Sequence, residues 1–296
     1  MSDYSARARG RGLVTLGCAG AFTLVLAYLA LVLTPSGQRF DDSAYLARLE
    51  VAKRGRSAIS ELLGTVSIGT MIVMGLILLI VAMRRHRLIV ALVALGCFAF
   101  ADITAELLKR LLPHPELNAI EGLMGTKEGL GTYPSGHATI ATGFVLALVF
   151  VSAARWRPAV GLIGALWAST ISIGLLAAGW HRPSDTLGGI GLACAYFGIG
   201  CGLFLRSHYS YVRPSTGIRL LLPGALVVWL LTGAVLGVSL LRGAQRDLNS
   251  AISPWAFPLA CLGIGAASIA ATVMFTWLMR DSQLDLNKSE SPRLRA

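Results

Sequence analysis

The chain has 296 residues, of which 55% are hydrophobic and 14% charged, far more apolar material than the core of one water-soluble domain requires. Twenty-six Lys and Arg against 15 Asp and Glu give a formal charge of +11. The basic residues sit in short clusters beside apolar runs and form no single stripe, which excludes a nucleic-acid partner and a soluble enzyme and leaves an all-α, polytopic transmembrane helix bundle.

In chain order, a bilayer core of about 30 Å calls for roughly 20 helical residues per crossing, and hydropathy predicts eight spans. They run at about 12–34, 59–83, 88–108, 137–154, 159–179, 186–205, 220–241 and 255–279. Arg7, Arg9 and Arg11 precede the first span, which is too long for a signal-peptide core and has no small-x-small cleavage site after it, so it is expected to remain as a helix. Cys18, Cys97, Cys194 and Cys261 lie inside apolar runs and Cys201 near the end of one, without a CxxC pair, so free packed thiols are expected. Eight crossings put both termini on one side. That side carries 15 basic residues and the opposite side 11, so the termini are assigned to the cytoplasm of a cell-membrane protein. The outer face then holds the loops at about 35–58, 109–136, 180–185 and 242–254.

Polar chemistry gathers at three places on that face. Asp102, Glu106, Lys109 and Arg110 close the third span. Ionisable groups at such depth face a polar cavity or a partner, or else snorkel to water from a helix end. Tyr133-Pro134-Ser135-Gly136-His137 opens the fourth span, where free amides at a helix N-terminus, the Ser135 hydroxyl and the His137 ring form an anion-binding end. An ordinary Ser cap beside an interfacial histidine would account for this segment taken alone. Trp180-His181-Arg182-Pro183-Ser184-Asp185 opens the sixth span, with His181 and Asp185 four residues apart, so that a carboxylate can hold one ring nitrogen and free the other. Three such segments on one face are a poor fit to chance. Together they suit phosphoryl transfer. No acidic cluster in the loops resembles a metal site, and no metal or cofactor is expected.

At these residues the sequence resembles the type 2 phosphatidic acid phosphatase superfamily, which also includes polyprenyl-diphosphate phosphatases and vanadium haloperoxidases. The family pattern is Lys-x6-Arg-Pro, Pro-Ser-Gly-His and Ser-Arg-x5-His-x3-Asp, and the resemblance covers about residues 100–205. It implies that His181 is the nucleophile, Asp185 its orienter and His137 the acid for the leaving group, with Lys109, Ser135 and the Gly136 amide binding phosphate. Two arginines depart from the pattern. Leu175, preceded by Gly174, stands in place of one, and His114, in a shortened first motif before Pro115, in place of the other. His114, Arg182, Arg110 and Lys127 are the candidates for the missing cation. The Gly-rich stretch from Ile120 to Thr132 reads as a linker or a substrate-contacting lid.

The expected organisation is a phosphatase-like core at 1–205, a basic cytoplasmic loop at 206–219, two further spans at 220–280 and a polar tail at 281–296, a six-helix core with two additions. The expected activity is metal-independent release of phosphate from a lipid phosphate or polyprenyl diphosphate through a phosphohistidine at the outer membrane face. The alternative is a non-catalytic relative that binds a lipid phosphate or supports an envelope assembly or transport complex. The expected partners are the bilayer and the lipid substrate.

Overall fold

A computed structural model describes residues 2–51, 59, 61, 63–64, 68–84, 87–115, 117, 132–211, 255–280 and 282–284. Eight α-helices occur among them. They are α1 (Ser2–Ala27), α2 (Pro35–Val51), α3 (Ile68–Met83), α4 (Leu88–Leu111), α5 (Gly136–Val151), α6 (Arg157–Ala178), α7 (Pro183–His208) and α8 (Ala256–Met279). α1 runs on as a π-helical turn, Tyr28–Val32. Among the described residues, five stretches are long and apolar enough to cross a membrane: Ala8–Val32, Leu88–Leu111, Arg157–Ala178, Pro183–Arg206 and Ala256–Met279. Gly69–Met83 and Gly136–Val151 are shorter apolar helices. The fold is a helical membrane bundle; large apolar side chains such as Phe22, Ile72, Phe100, Ile103 and Ile163 line its exterior.

Seven of the eight expected spans coincide with a helix. The expected span at 220–241 and most of the tail at 281–296 lie outside the described residues, as do Lys127 and most of the Gly-rich stretch. The fourth span is shorter than its hydropathy suggests. Ser135 caps its start, its hydroxyl accepting from the Ala138 amide at 3.3 Å, and Ser152 ends it, so 16 residues remain. The first outer loop, expected at 35–58, contains α2. Thr34 starts that helix, its hydroxyl accepting from the Gly37 amide at 3.0 Å, and Pro35 takes the first helical position, where a missing N–H costs nothing.

α1 and α7 run antiparallel in the tightest contact of the bundle, Gly10 beside Arg206 and Gly20 beside Cys194. Midway, a Cβ on Gly198 would collide with the Gly17 backbone. At one end of the bundle Arg157, fully buried, donates from Nε to the Val149 carbonyl at 3.1 Å and from a terminal nitrogen to the Met279 carbonyl at 2.5 Å. A cation thereby satisfies the last carbonyls of α5 and α8, which the helix geometry leaves without partners. Arg9 of α1 reaches the Trp277 carbonyl at 3.4 Å, and strands β1 (Tyr209–Tyr211) and β2 (Ser282–Leu284) pair antiparallel, Ser210 opposite Gln283. α1 therefore begins, and α5, α7 and α8 finish, at this end. The polar segments of the three motifs gather at the other.

Candidate active site

The site is built where α6 hands over to α7. Gly179 ends α6 with φ of 78°, a left-handed conformation glycine adopts without penalty, and the amides of Trp180 and His181 return to the Leu175 carbonyl at 2.9 and 3.3 Å. α7 begins at Pro183, so His181 precedes the helix instead of lying on its first turn. The four-residue spacing still brings the pair together, because Asp185 is the third helical residue and its side chain folds back over the helix start, as in a capping box. Asp185 Oδ2 accepts from the Arg182 amide at 3.1 Å and the Thr132 hydroxyl at 2.7 Å, and lies 3.2 Å from His181 Nδ1. Asp185 is fully buried and His181 is 9% exposed.

The start of α5 packs directly on this turn. The Ser135 amide donates to the Asp185 carbonyl at 2.8 Å. Gly188 and Gly189 permit the approach, since a Cβ on Gly188 would lie 2.5 Å from the Tyr133 ring and one on Gly189 would meet the Ser135 carbonyl. His137 follows on the first turn of α5, its ring 6.1 Å from that of His181 and edge-on to Trp180 at 5.3 Å. Lys109, in the last turn of α4, meets the same helix start: a Cβ on Gly136 would be 3.2 Å from Lys109 Nζ. The structure thus brings together His181, Asp185, His137, Ser135, Gly136 and Lys109. The Ser135 hydroxyl serves as the α5 cap and its amide is bonded to Asp185, so the groups it offers an anion are the hydroxyl proton and the neighbouring first-turn amides.

Two of the candidates for the missing cation sit together beside α2. Arg182 donates from Nε to Asp42 at 3.0 Å, and one of its terminal nitrogens lies 3.2 Å from His114 Nε2. A guanidinium only donates, so Nε2 accepts here and His114 takes the role of a base toward Arg182, not of a second cation. Asp41, fully buried, accepts from the Ser184 amide at 3.1 Å and covers the start of α7. Burial pushes its carboxyl up to about 8 and also raises that of Asp42, against the lowering pull of Arg182. Tyr45 of α2 donates to the Gly179 carbonyl at 2.9 Å. Where the family pattern has its third-motif arginine, Leu175 is fully buried in a cluster with Leu63, Ala138, Ala141 and Ile171, so no cation enters the site from that position. Arg110 is an exposed residue of the last turn of α4.

Thr132, Asp41, Asp42 and Tyr45 are not among the residues the sequence singles out. Their contacts join segments 53 to 143 residues apart, which no local pattern encodes. A usable signal for α2 does exist, because Thr34-Pro35 ahead of Gln38, Asp41 and Asp42 is a helix start followed by acids.

Within a bundle of apolar helices, two histidines, a buried carboxylate and a lysine thus converge where α4 ends and α5 and α7 begin. Residues 87–209 match the family described as the PAP2 superfamily. No curated protein and no solved structure gives a significant match.

Proposed function

We propose that the protein is a membrane phosphohydrolase that releases phosphate from a lipid phosphate or polyprenyl diphosphate through a phosphohistidine on His181. The observation that carries this reading is the His181 Nδ1 to Asp185 Oδ2 contact of 3.2 Å with the His137 ring 6.1 Å away. Asp185 accepts a hydrogen bond from Nδ1–H and so leaves the Nε2 lone pair for phosphorus. A phosphoryl group placed between the two rings would meet one on each side. As Nε2 bonds to phosphorus, the P–O bond to the lipid breaks and its oxygen takes a proton from His137. His137, now neutral, removes a proton from water; the water oxygen attacks phosphorus, the P–N bond breaks and phosphate leaves. Lys109, the Ser135 hydroxyl and the Gly136 amide face the negative charge that builds on the phosphoryl oxygens. This reading needs no metal.

The second reading, a non-catalytic relative that binds a lipid phosphate or supports an envelope assembly or transport complex, is favoured by buried Leu175 and by the pairing of Arg182 with Asp42. Phosphate release from phosphatidic acid, phosphatidylglycerol phosphate and undecaprenyl or decaprenyl diphosphate, measured on the purified protein in detergent with a chelator present, decides between them. Turnover of at least one lipid is expected, with a loss of roughly a thousandfold or more in His181→Ala. Release that is undiminished in His181→Ala removes the phosphohistidine; no release from any lipid favours the second reading.

A further inference from the structure

The carboxylates of α4 take no part in the chemistry above. Glu106 lies one turn before Lys109, and its Oε1 is 2.5 Å from Lys109 Nζ. Both groups converge on the amino end of α5: a Cβ on Gly136 would be 3.2 Å from Glu106 Oε1, 3.2 Å from Lys109 Nζ and 3.8 Å from Asp102 Oδ1. A carboxylate oxygen therefore lies where an ammonium and the first-turn amides of a helix meet, the combination that holds a phosphoryl oxygen. Two oxyanions in contact at that point repel, so phosphate and Glu106 exclude one another. Glu106 is able to yield. Its side chain is 53% exposed, against 22% for Lys109, and an ion pair so open to water contributes little that solvation does not replace.

Building on the phosphate site described above, we propose that Glu106 is a placeholder anion. Its carboxylate holds Lys109 against the start of α5 until the phosphoryl oxygens of substrate displace it, and its return accompanies departure of phosphate. Glu106 thereby sets the affinity of the site for phosphate, and Asp102, an acid on the preceding turn, adds to the penalty when ionised.

The test is calorimetric titration of inorganic phosphate into the full-length protein in detergent, for the native chain, Glu106→Gln, Lys109→Ala and the double variant. Glu106→Gln is expected to tighten phosphate binding about three- to tenfold, and Glu106→Ala, which also removes the hydrogen bond, to act in the same direction. In the Lys109→Ala background the gain should shrink to less than half. KM for a short-chain phosphatidic acid should fall with Kd. Phosphate binding that is unchanged or weaker in Glu106→Gln overturns the proposal, as does an absence of binding by both proteins. Should the native protein turn over no lipid while Glu106→Gln still tightens phosphate, the hydrolytic reading fails and the placeholder role stands.

Discussion

Asp41 sits in surroundings far from those of a free carboxylate. It is 2% exposed, its Oδ1 accepts the Ser184 amide at 3.1 Å, and burial raises its carboxyl to about 8. The folded chain therefore keeps a proton that the unfolded chain loses above about 4. With more protons bound in the folded state, stability falls as pH rises between those two values and levels off beyond. Asp41→Asn preserves the acceptor for Ser184 and removes the ionisation, so its melting temperature relative to the native protein should climb between pH 5 and about 8. A constant difference across that range would mean that Asp41 is ionised throughout. The same residue illustrates what the sequence conceals. Ser135, Gly136, His137, His181 and Asp185 are legible because their residue types and spacing are local; Asp41 meets its partner across 143 residues, and only the folded backbone puts them in contact.

Helices are the more legible level, because in lipid a long apolar run between charged breaks must satisfy its own backbone and does so by coiling. α2 is the exception: its average polarity matches that of a loop, and it folds back over the start of α7 instead of crossing. Packing is legible only in part. Gly17 and Gly198 look alike in sequence to Gly96, yet a Cβ on Gly198 would strike the opposing backbone whereas one on Gly96 meets nothing within 4 Å. Gly198→Leu should accordingly separate α1 from α7 and eliminate monodisperse protein in size-exclusion chromatography. Gly96→Ala should leave the melting temperature unchanged or raise it, through a helix-propensity gain of up to about 1 kcal/mol. Equal behaviour of the two variants would show that the α1–α7 contact contributes nothing to folding.

For the whole molecule, the arrangement of the ends fixes which loops share a face but not which face meets the cytoplasm. The orientation with cytoplasmic termini rests on 15 basic residues against 11, and one of the 15, Arg157, is spent on the carbonyls of α5 and α8. Cysteine labelling tests it directly. A cysteine at exposed Ser36, on the site face, should react with an impermeant thiol reagent on intact cells, and one at exposed Arg155, at the opposite end, only after permeabilisation. The reverse pattern would place the chemistry in the cytoplasm.

The segment that matches the superfamily, 87–209, omits α1 and α2, yet α1 supplies the tightest helix contact and α2 covers the start of α7. The closeness of α1 to α7 has a bearing on how a lipid of the proposed kind would enter. With glycine backbones in contact at Gly17 and Gly198, the seam between these helices has no width for a methylene, let alone an acyl or prenyl tail. Under the proposed lipid-phosphate reading, a substrate whose headgroup lies between α4 and α5 would have to run its hydrocarbon out along another side of the bundle, which places the expected doorway from the bilayer away from the α1–α7 seam.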